Sequence, residues 1–394
     1  MIRYLTAGES HGKGLTVIID GVPANLSIKN SDIDYYLGER QKGYGRGGRQ
    51  KIEKDRAEIL SGIRAGKTTG SPISVFIKNK DFETWKNIMS VEPVPASRAG
   101  KEFTVPRPGH ADLAGGMKFN QKDLRNVLER ASARETAARV VAGAIAKKIL
   151  SEFGIEILGY VVSIGGIGDD ECMSKPVKSV MKAMRLTQLK YRSDIRCPDS
   201  KNADLMIKKI NEAAKEGDTL GGVVKVISSP LPAGLGDYTQ WDKKLDAKIA
   251  AALMSIQAVK GVEFGAGFVY TEGHGSDFHD EIFYSRSKGY SRKTNNAGGF
   301  EGGVTNGEPL SVRAAVKPIS TVKKGMQSVN IKTKKKVKTV YERSDICAVP
   351  SASLIAEAVT AVELAGALQE KLGGDEIAFM KSNYKNYRSY LKKF

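Results

Sequence analysis

Only four histidines occur in this 394-residue chain, His11, His110, His274 and His279. Two of them stand where imidazoles are scarce by chance: His11 in "GESHGKG", bounded by glycines, and His110 in "PRPGHADL", with Arg107 before it and Asp112 after it. An unperturbed imidazole titrates near neutrality, so two of them on loops suit an acid–base pair. Around them the sequence sets polar groups in glycine-rich or turn contexts: Arg40, Arg46, Arg49, Arg107, Arg130, Ser132, Arg134, Lys317, Arg343 and Asp345. Guanidinium forks hold carboxylates and phosphates through paired hydrogen bonds. One arginine–phosphate contact near 4 Å carries roughly 4 kcal/mol of gross Coulomb energy at an effective dielectric of about 20. Several together over-determine the pose of a small molecule with several negative charges. They also suit a departing phosphate, which needs cations and a proton donor.

The elements that must position these residues follow from periodicity. "GLTVIIDGVP" (14–23) predicts a strand, "SDIDYYLGERQ" (31–41) a helix capped by Ser31, and "RAEILSGI" and "SPISVFIKN" two more strands. "KGYGRGGRQK" predicts a mobile cationic loop. From Asn120, apolar residues at 124, 127, 128, 131, 138, 141, 145 and 149 predict one helix, capped by Asn120, stopped by Gly154, with Arg130 and Arg134 as surface neighbours. Further strands are expected at "ILGYVVSIGG", "GGVVKVISS", "GVEFGAGFVY" and "LSVRAAVKPI". Further helices are expected near 177–190, 201–216, 241–258 and 351–372, with a Gly/Asn loop at 295–309. Strands and helices do not alternate cleanly, which argues for an α+β arrangement of largely antiparallel strands covered by helices, in one domain spanning 1–394.

Composition narrows the classes. Apolar residues at 41% and charged ones at 27% are those of a globular chain. The formal charge of +18 favours anionic partners. Cys172, Cys197 and Cys347 form no C-x-x-C pair, which argues against a disulfide framework and for a reducing, cytoplasmic setting. The N-terminus has no signal-peptide core, and the longest strongly apolar run, "VVAGAIA", is too short to cross a bilayer.

Four motifs tempt and fail. "GYGRGG" satisfies a dinucleotide fingerprint but follows a helix instead of a strand. "GIRAGKTTG" has Ser61 where a P-loop needs glycine. "HGSDFHD" matches no strong zinc spacing, and no metal is expected. "KTKKKVK" reads as a charged hairpin tip.

In chain order, "GESHGKGLTVIIDGVPA", "RQKGYGRGGRQKIEKD", "SGIRAGKTTGSPI", "RPGHADLAGGMKF", "ERASARETAARVVAGAIAK", "GDTLGGVV", "SIQAVKGVEFGAGF", "NNAGGFEGGVTNGEPL" and "ERSDICAVPS" closely resemble the chorismate synthase family, from residue 1 to about 372. The resemblance implies a helix–sheet–helix (β-α-β) sandwich and a homotetramer. It implies a lyase acting on 5-enolpyruvylshikimate 3-phosphate, with 1,4-anti elimination of phosphate to give chorismate. This is the last step of the shikimate pathway, and it depends on reduced FMN with no net redox change. NADPH would serve as an indirect reductant through an external flavin reductase, and neither nucleic acid nor membrane would be a partner. His11 matches the donor to the leaving phosphate, His110 the residue that protonates the flavin, and Asp345 the aspartate beside the flavin's proton-accepting nitrogen. Arg40, Arg46, Arg49, Arg107 and Arg134 match substrate clamps, the first two also NADP positions. Arg130, Ala131, Ser132, Gln257, Ala258, Gly302, Lys317, Pro318, Ile319, Ser320, Thr321 and Arg343 match flavin-contacting positions. Ala131 replaces a frequent serine, removing a hydrogen bond to FMN. Ile346 replaces a frequent proline, an exchange expected to loosen the turn that presents Asp345. Two other classes compete: an RNA-binding protein using the Arg/Gly loop and the lysine run, and an NAD(P)H-dependent flavin reductase.

Overall fold

Period-two burial builds the first sheet. Leu15, Val17 and Ile19 of one strand and Ile73, Val75 and Ile77 of another are buried, while their alternates face out. The computed structural model describes residues 1–48, 53–95, 97–98, 100–168, 194–286, 289–339, 341 and 344–394. The helix expected at 177–190, Cys172, Arg49 and Arg343 lie outside these.

In chain order the first part comprises β1 (Arg3–Ala7), β2 (Gly14–Asp20), α1 (Asn30–Gln41), β3 (Glu58–Ile59), β4 (Ile63–Arg64), β5 (Lys67–Thr68), β6 (Ile73–Lys78) and α2 (Phe82–Trp85). Then come α3 (Asp112–Lys118), α4 (Arg125–Ala131), α5 (Thr136–Ser151), β7 (Ile157–Ile164), β8 (Ile167–Gly168), α6 (Ser200–Glu216), β9 (Gly222–Pro230), α7 (Leu245–Met254) and β10 (Val259–Phe264). The last part holds α8 (Gly275–Phe278), β11 (Ile282–Ser285), β12 (Gly289–Arg292), β13 (Phe300–Glu301), β14 (Val304–Thr305), β15 (Pro309–Val316), β16 (Gln327–Val329), β17 (Lys336–Lys338), α9 (Val349–Leu372) and α10 (Ile377–Lys393). Among the described residues a four-stranded antiparallel sheet runs β1-β2-β6-β3 and a five-stranded one β10-β15-β9-β7-β8, while β4–β5, β11–β12, β13–β14 and β16–β17 are two-stranded.

The antiparallel α+β expectation holds. Helices cover the strands, as expected. α5 packs on β2 and β6, α9 packs on β7 and β9, and the two helices pack on each other. The helical layer lies between the sheets, so the order here is sheet–helix–sheet. That is why α5 and α9 are buried nearly all round and show no amphipathic stripe. α9, expected as a helix at 351–372, is also long and apolar enough by composition to cross a membrane, and 94% of its apolar window is buried inside the fold.

Two local expectations change, and one unread segment takes form. The first helix begins at Asn30, and Asp32 accepts from the Lys29 amide, so Ser31 is not its cap. The long helix from Asn120 is broken: Asn120 has φ +52, and Ser132 is extended (φ −62, ψ 142) between α4 and a 3₁₀ turn, Ala133–Glu135, that leads into α5. Helical periodicity survives a one-residue kink, so spacing could not show the break. The tail after Gly374, unread in the sequence, forms α10, capped by Glu376 and tied to Ala233 through the Tyr387 hydroxyl.

The α5–α9 contact is close because Gly143 faces Ala358. A Cβ at 143 would stand 2.3 Å from that of Ala358. Gly143→Ala is therefore expected to destabilise by about 1–3 kcal/mol despite alanine's better helix propensity. Thermal melting checks this: the midpoint should fall by several degrees, and an unchanged midpoint would mean that the helices separate freely.

Candidate functional site

One cleft of about 490 Å³ gathers His11, His110 and Asp345 in its wall, with Arg40, Arg46, Arg107 and Arg134. Of the other singled-out positions, Ala131, Ser132, Gln257, Ala258 and Lys317 through Thr321 also line it. Arg130 and Gly302 do not. Gly302 sits in the β13–β14 turn with Tyr238 as its neighbour.

The kink at Ser132 decides where the two arginines go. The Ser132 hydroxyl accepts from the Arg134 amide at 3.3 Å and starts the turn. Arg130 then runs outward to the Gly8 and Thr6 carbonyls at 3.1 and 2.9 Å, bracing the loop that carries His11. Arg134 runs inward, 8% exposed, donating to Asn79 Oδ1 at 2.9 Å and to Asp55 Oδ2 at 2.6 Å. The expected surface pair is thus split. Asn79, fully buried, turns its amide to the carbonyls of Glu9, Ser10 and Gly12. The His11 loop therefore hangs from the same buried network as Arg134.

Arg40 completes that network. It donates to Thr136 Oγ1 and the Ala133 carbonyl, each at 3.0 Å, and lies 3.6 Å from Asp55. Burial depresses its guanidinium to about 9; Asp55 opposes this, while Arg134 and Arg46 add to it. A pocket where guanidiniums depress one another favours an incoming anion. Arg46 Nε and Arg134 Nη2 are buried with no hydrogen-bond partner among the described residues, as is Asp55 Oδ1.

The described part of the Arg/Gly loop, up to Gly48, is pinned. Asp345 accepts from the Gly47 amide at 2.6 Å and pairs with Arg46 at 2.8 Å. Glycine is required at 47, because a Cβ there would stand 2.7 Å from the Ser344 carbonyl. The Ile346 amide donates to the Gly45 carbonyl at 2.7 Å. A proline at 346 could not make that bond, so this exchange ties the turn where loosening was expected.

Each imidazole meets a buried carboxylate. His110 Nδ1 is 2.5 Å from Asp112 Oδ1, and Arg107 grips the same carboxylate through Nε at 2.9 Å and Nη2 at 3.1 Å, with Nη1 on Thr321. Arg107 Nη2 is also 3.0 Å from Nδ1, but the shorter contact to Asp112 makes Nδ1 the protonated nitrogen. His11 Nδ1 is 2.9 and 3.0 Å from the two oxygens of Glu129, and its ring stacks on Trp85 at 4.0 Å. Asp55, Asn79, Trp85 and Glu129 were missed in the sequence, where a buried acid looks like any charged residue. Asp112 was visible only as the neighbour of His110.

Across the cleft, the Gln257 amide donates to Glu135 at 3.3 Å, while Gln257 Oε1 is buried without a hydrogen-bond partner among the described residues. Ala258 takes φ +72, and its carbonyl accepts from the Lys317 amide. Lys317 donates to the Gly109 carbonyl; burial, and then Lys260, lower its ammonium below the ordinary lysine value. Elsewhere "HGSDFHD" is a short helix in which Asp277 accepts from the His274 amide, "GIRAGKTTG" contains the β4–β5 hairpin, and "KTKKKVK" leads from the turn between β16 and β17 into β17.

Burial raises the Asp112 carboxyl, yet hydrogen bonds from His110 and Arg107 outweigh it and hold the group well below the usual carboxylate range. A depressed folded-state value stabilises fully above the unfolded one, about 3.9, and less as pH falls through the folded one. Asp112→Asn should therefore melt well below wild type at pH 7, and the gap should narrow on acidification below about pH 4. Calorimetry across pH reads this; a gap constant with pH would contradict the ion-pair assignment.

The family profile described as chorismate synthase matches residues 2–368. The chorismate synthase of Aquifex aeolicus (strain VF5) is 52% identical, over all of this chain and 99% of its own length. That of Listeria monocytogenes serotype 4a (strain HCC23) is 50% identical over the full length of both chains. A solved structure titled "Crystal Structure of Chorismate Synthase" superposes with a TM-score of 0.79 at 44% identity, covering 100% of this chain and 99% of that one. The cleft thus sits in a fold and a sequence shared end to end with these proteins, and the chain belongs to the chorismate synthase family.

Proposed function

We propose that the cleft performs the 1,4-anti elimination of phosphate from 5-enolpyruvylshikimate 3-phosphate, yielding chorismate. The observation that carries this is the convergence, in one cavity, of two carboxylate-backed imidazoles, Asp345, and arginine donors left without partners. The substrate's phosphate and two carboxylates suit Arg46, Arg134 and Arg40. Arg107, gripped by Asp112, first orders His110 and offers the substrate only its remaining N–H groups. Arg49 completes the clamp in the reading from family resemblance.

His11 holds the proton for the leaving phosphate, with Ser10 and Ser132 close by, their hydroxyls 3.2 Å apart. His110, in the wall of the same cleft, holds a second proton. Asp345, restrained by Arg46 and Gly47, keeps a carboxylate in the same wall. Removing a proton from an unactivated carbon needs more than the 10²–10⁴ typical of acid–base groups. Reduced FMN, when bound, supplies it by lending electron density that it recovers, so the net reaction is not redox. Gln257 Oε1 and the Lys317–Thr321 wall fit such a group, with Ala131, Ser132 and Ala258. Arg130 and Gly302 fall outside that set here, and Arg343 keeps only its family match. Reduced FMN comes from an external reductase with NADPH as indirect source.

The chain works as one domain in a cytoplasmic homotetramer. Exposed Phe268, Ile282, Tyr284 and Tyr290 support assembly, and the buried free thiol of Cys347 is consistent with a reducing setting. The fold is read as the β-α-β sandwich that the resemblance implies, a reading supported by the packing of α5 and α9 against the sheets.

Anaerobic assay with photoreduced FMN should give phosphate release, and NADPH with oxidised FMN should not. Release without reduced flavin would reject the reading. His110→Ala should lower turnover by about 10²–10⁴ while FMN and substrate still bind, as fluorescence titration would show. Near-normal turnover would remove His110 from the chemistry.

A further inference from the structure

Behind His11 stands a stack of groups that no role in the reaction has yet been given. Glu129, 2% exposed, closes the last turn of α4. Its Oε2 accepts from the His11 amide at 2.7 Å, and both its oxygens lie within 3.0 Å of Nδ1. Arg125, one turn earlier, sets Nη1 at 3.6 Å from Oε1. The Arg125 guanidinium lies 5.1 Å over the Trp85 ring, and that ring stacks on the imidazole with an interplanar angle of 24°. Backbone ties add to this, since the Ser10 amide donates to the Glu129 carbonyl at 3.0 Å. Ring plane, ring rotation and nitrogen identity are therefore all specified by neighbouring side chains, Trp85 in the cleft wall and Glu129 and Arg125 on α4.

A carboxylate only accepts hydrogen bonds. Held against one, Nδ1 carries the hydrogen in the neutral ring; Nε2 takes up the second proton, and it is the imidazolium that gives it from Nε2. A histidine that works through one nitrogen needs the other fixed in this way. We infer that Glu129 is a positioning residue for His11: it holds the imidazole in the Nδ1–H tautomer, Trp85 holds the ring plane, and Arg125 braces both. The order arginine, carboxylate, imidazole recurs at Arg107, Asp112 and His110, so the cleft uses the same device twice. The inference rests on the reading of His11 as the proton donor, but the tautomer is a property of the chain by itself.

Two readouts test it. The first is long-range ¹H–¹⁵N correlation on protein labelled at histidine nitrogen, without substrate, above the ring's titration. Four histidines make assignment simple, and His11→Ala deletes the relevant peaks. Wild type should show His11 protonated at Nδ1 alone. Glu129→Gln, whose amide can also donate to Nδ1, should shift the ring toward the Nε2–H form. The second is turnover. Glu129→Gln should lower kcat by about 10²–10⁴, with KM changed by no more than about threefold, and should add no further loss in a His11→Ala background. An Nε2–H ring in wild type, a Glu129→Gln kcat close to wild type, or losses that multiply in the double variant would each overturn the inference. Should Glu129→Gln not fold, the wild-type spectrum and Glu129→Asp carry the test. The aspartate keeps an acceptor and should retain the Nδ1–H ring. Normal turnover in His11→Ala would instead reject the donor role of His11 and leave the tautomer standing.

Discussion

Asp55 is the charge on which the site is built. It is 4% exposed, 2.6 Å from Arg134 and 3.6 Å from Arg40. A buried carboxylate is tolerable only with partners, and breaking such a pair typically costs about 3–5 kcal/mol. Satisfying Asp55 pulls Arg134 inward at the start of α5 and fixes Arg40 at the end of α1. Arg134 then engages Asn79, whose amide holds the His11 loop. Three chain segments far apart in sequence are thus set by one carboxylate. The cationic surplus around it is what makes the cleft receptive to an anion.

The second constraint is tautomeric. Two loop histidines could have been mobile, and glycine-rich flanks would favour that. Instead, each ring is backed by a buried acid contributed by a neighbouring helix, α3 for His110 and α4 for His11. None of His11, His110 and Asp345 lies on an element of the sheet–helix–sheet core. Its part is rigidity: Gly143 lets α5 and α9 approach closely, and the first turns of α9 supply Ser351, Ala352 and Ile355 to the cleft wall.

Much of this was legible in the sequence. The strands at 14–20, 73–78, 157–164, 222–230 and 309–316 follow from β-branched runs, and the glycine-bounded histidines marked the site. The Arg130–Arg134 pair was misread because helical spacing cannot reveal a single extended residue, Ser132, that sends the two side chains opposite ways. Glu129 and Asp55 were invisible for a different reason: burial of a charge is a tertiary fact. The layer order was equally hidden, since α5 and α9 lack the polar face that marks an outer helix.

The central claim is that Arg46 and Arg134 present unsatisfied donors to a multiply anionic ring held between the two imidazoles. A crystal structure of the chain with 5-enolpyruvylshikimate 3-phosphate and oxidised FMN tests it most directly. The account predicts the substrate's anionic groups in hydrogen-bonding contact with Arg46 Nε and Arg134 Nη2, and His11 Nε2 facing the phosphate ester. A substrate bound elsewhere, or seated in the cleft with those two donors still unmet, would contradict it.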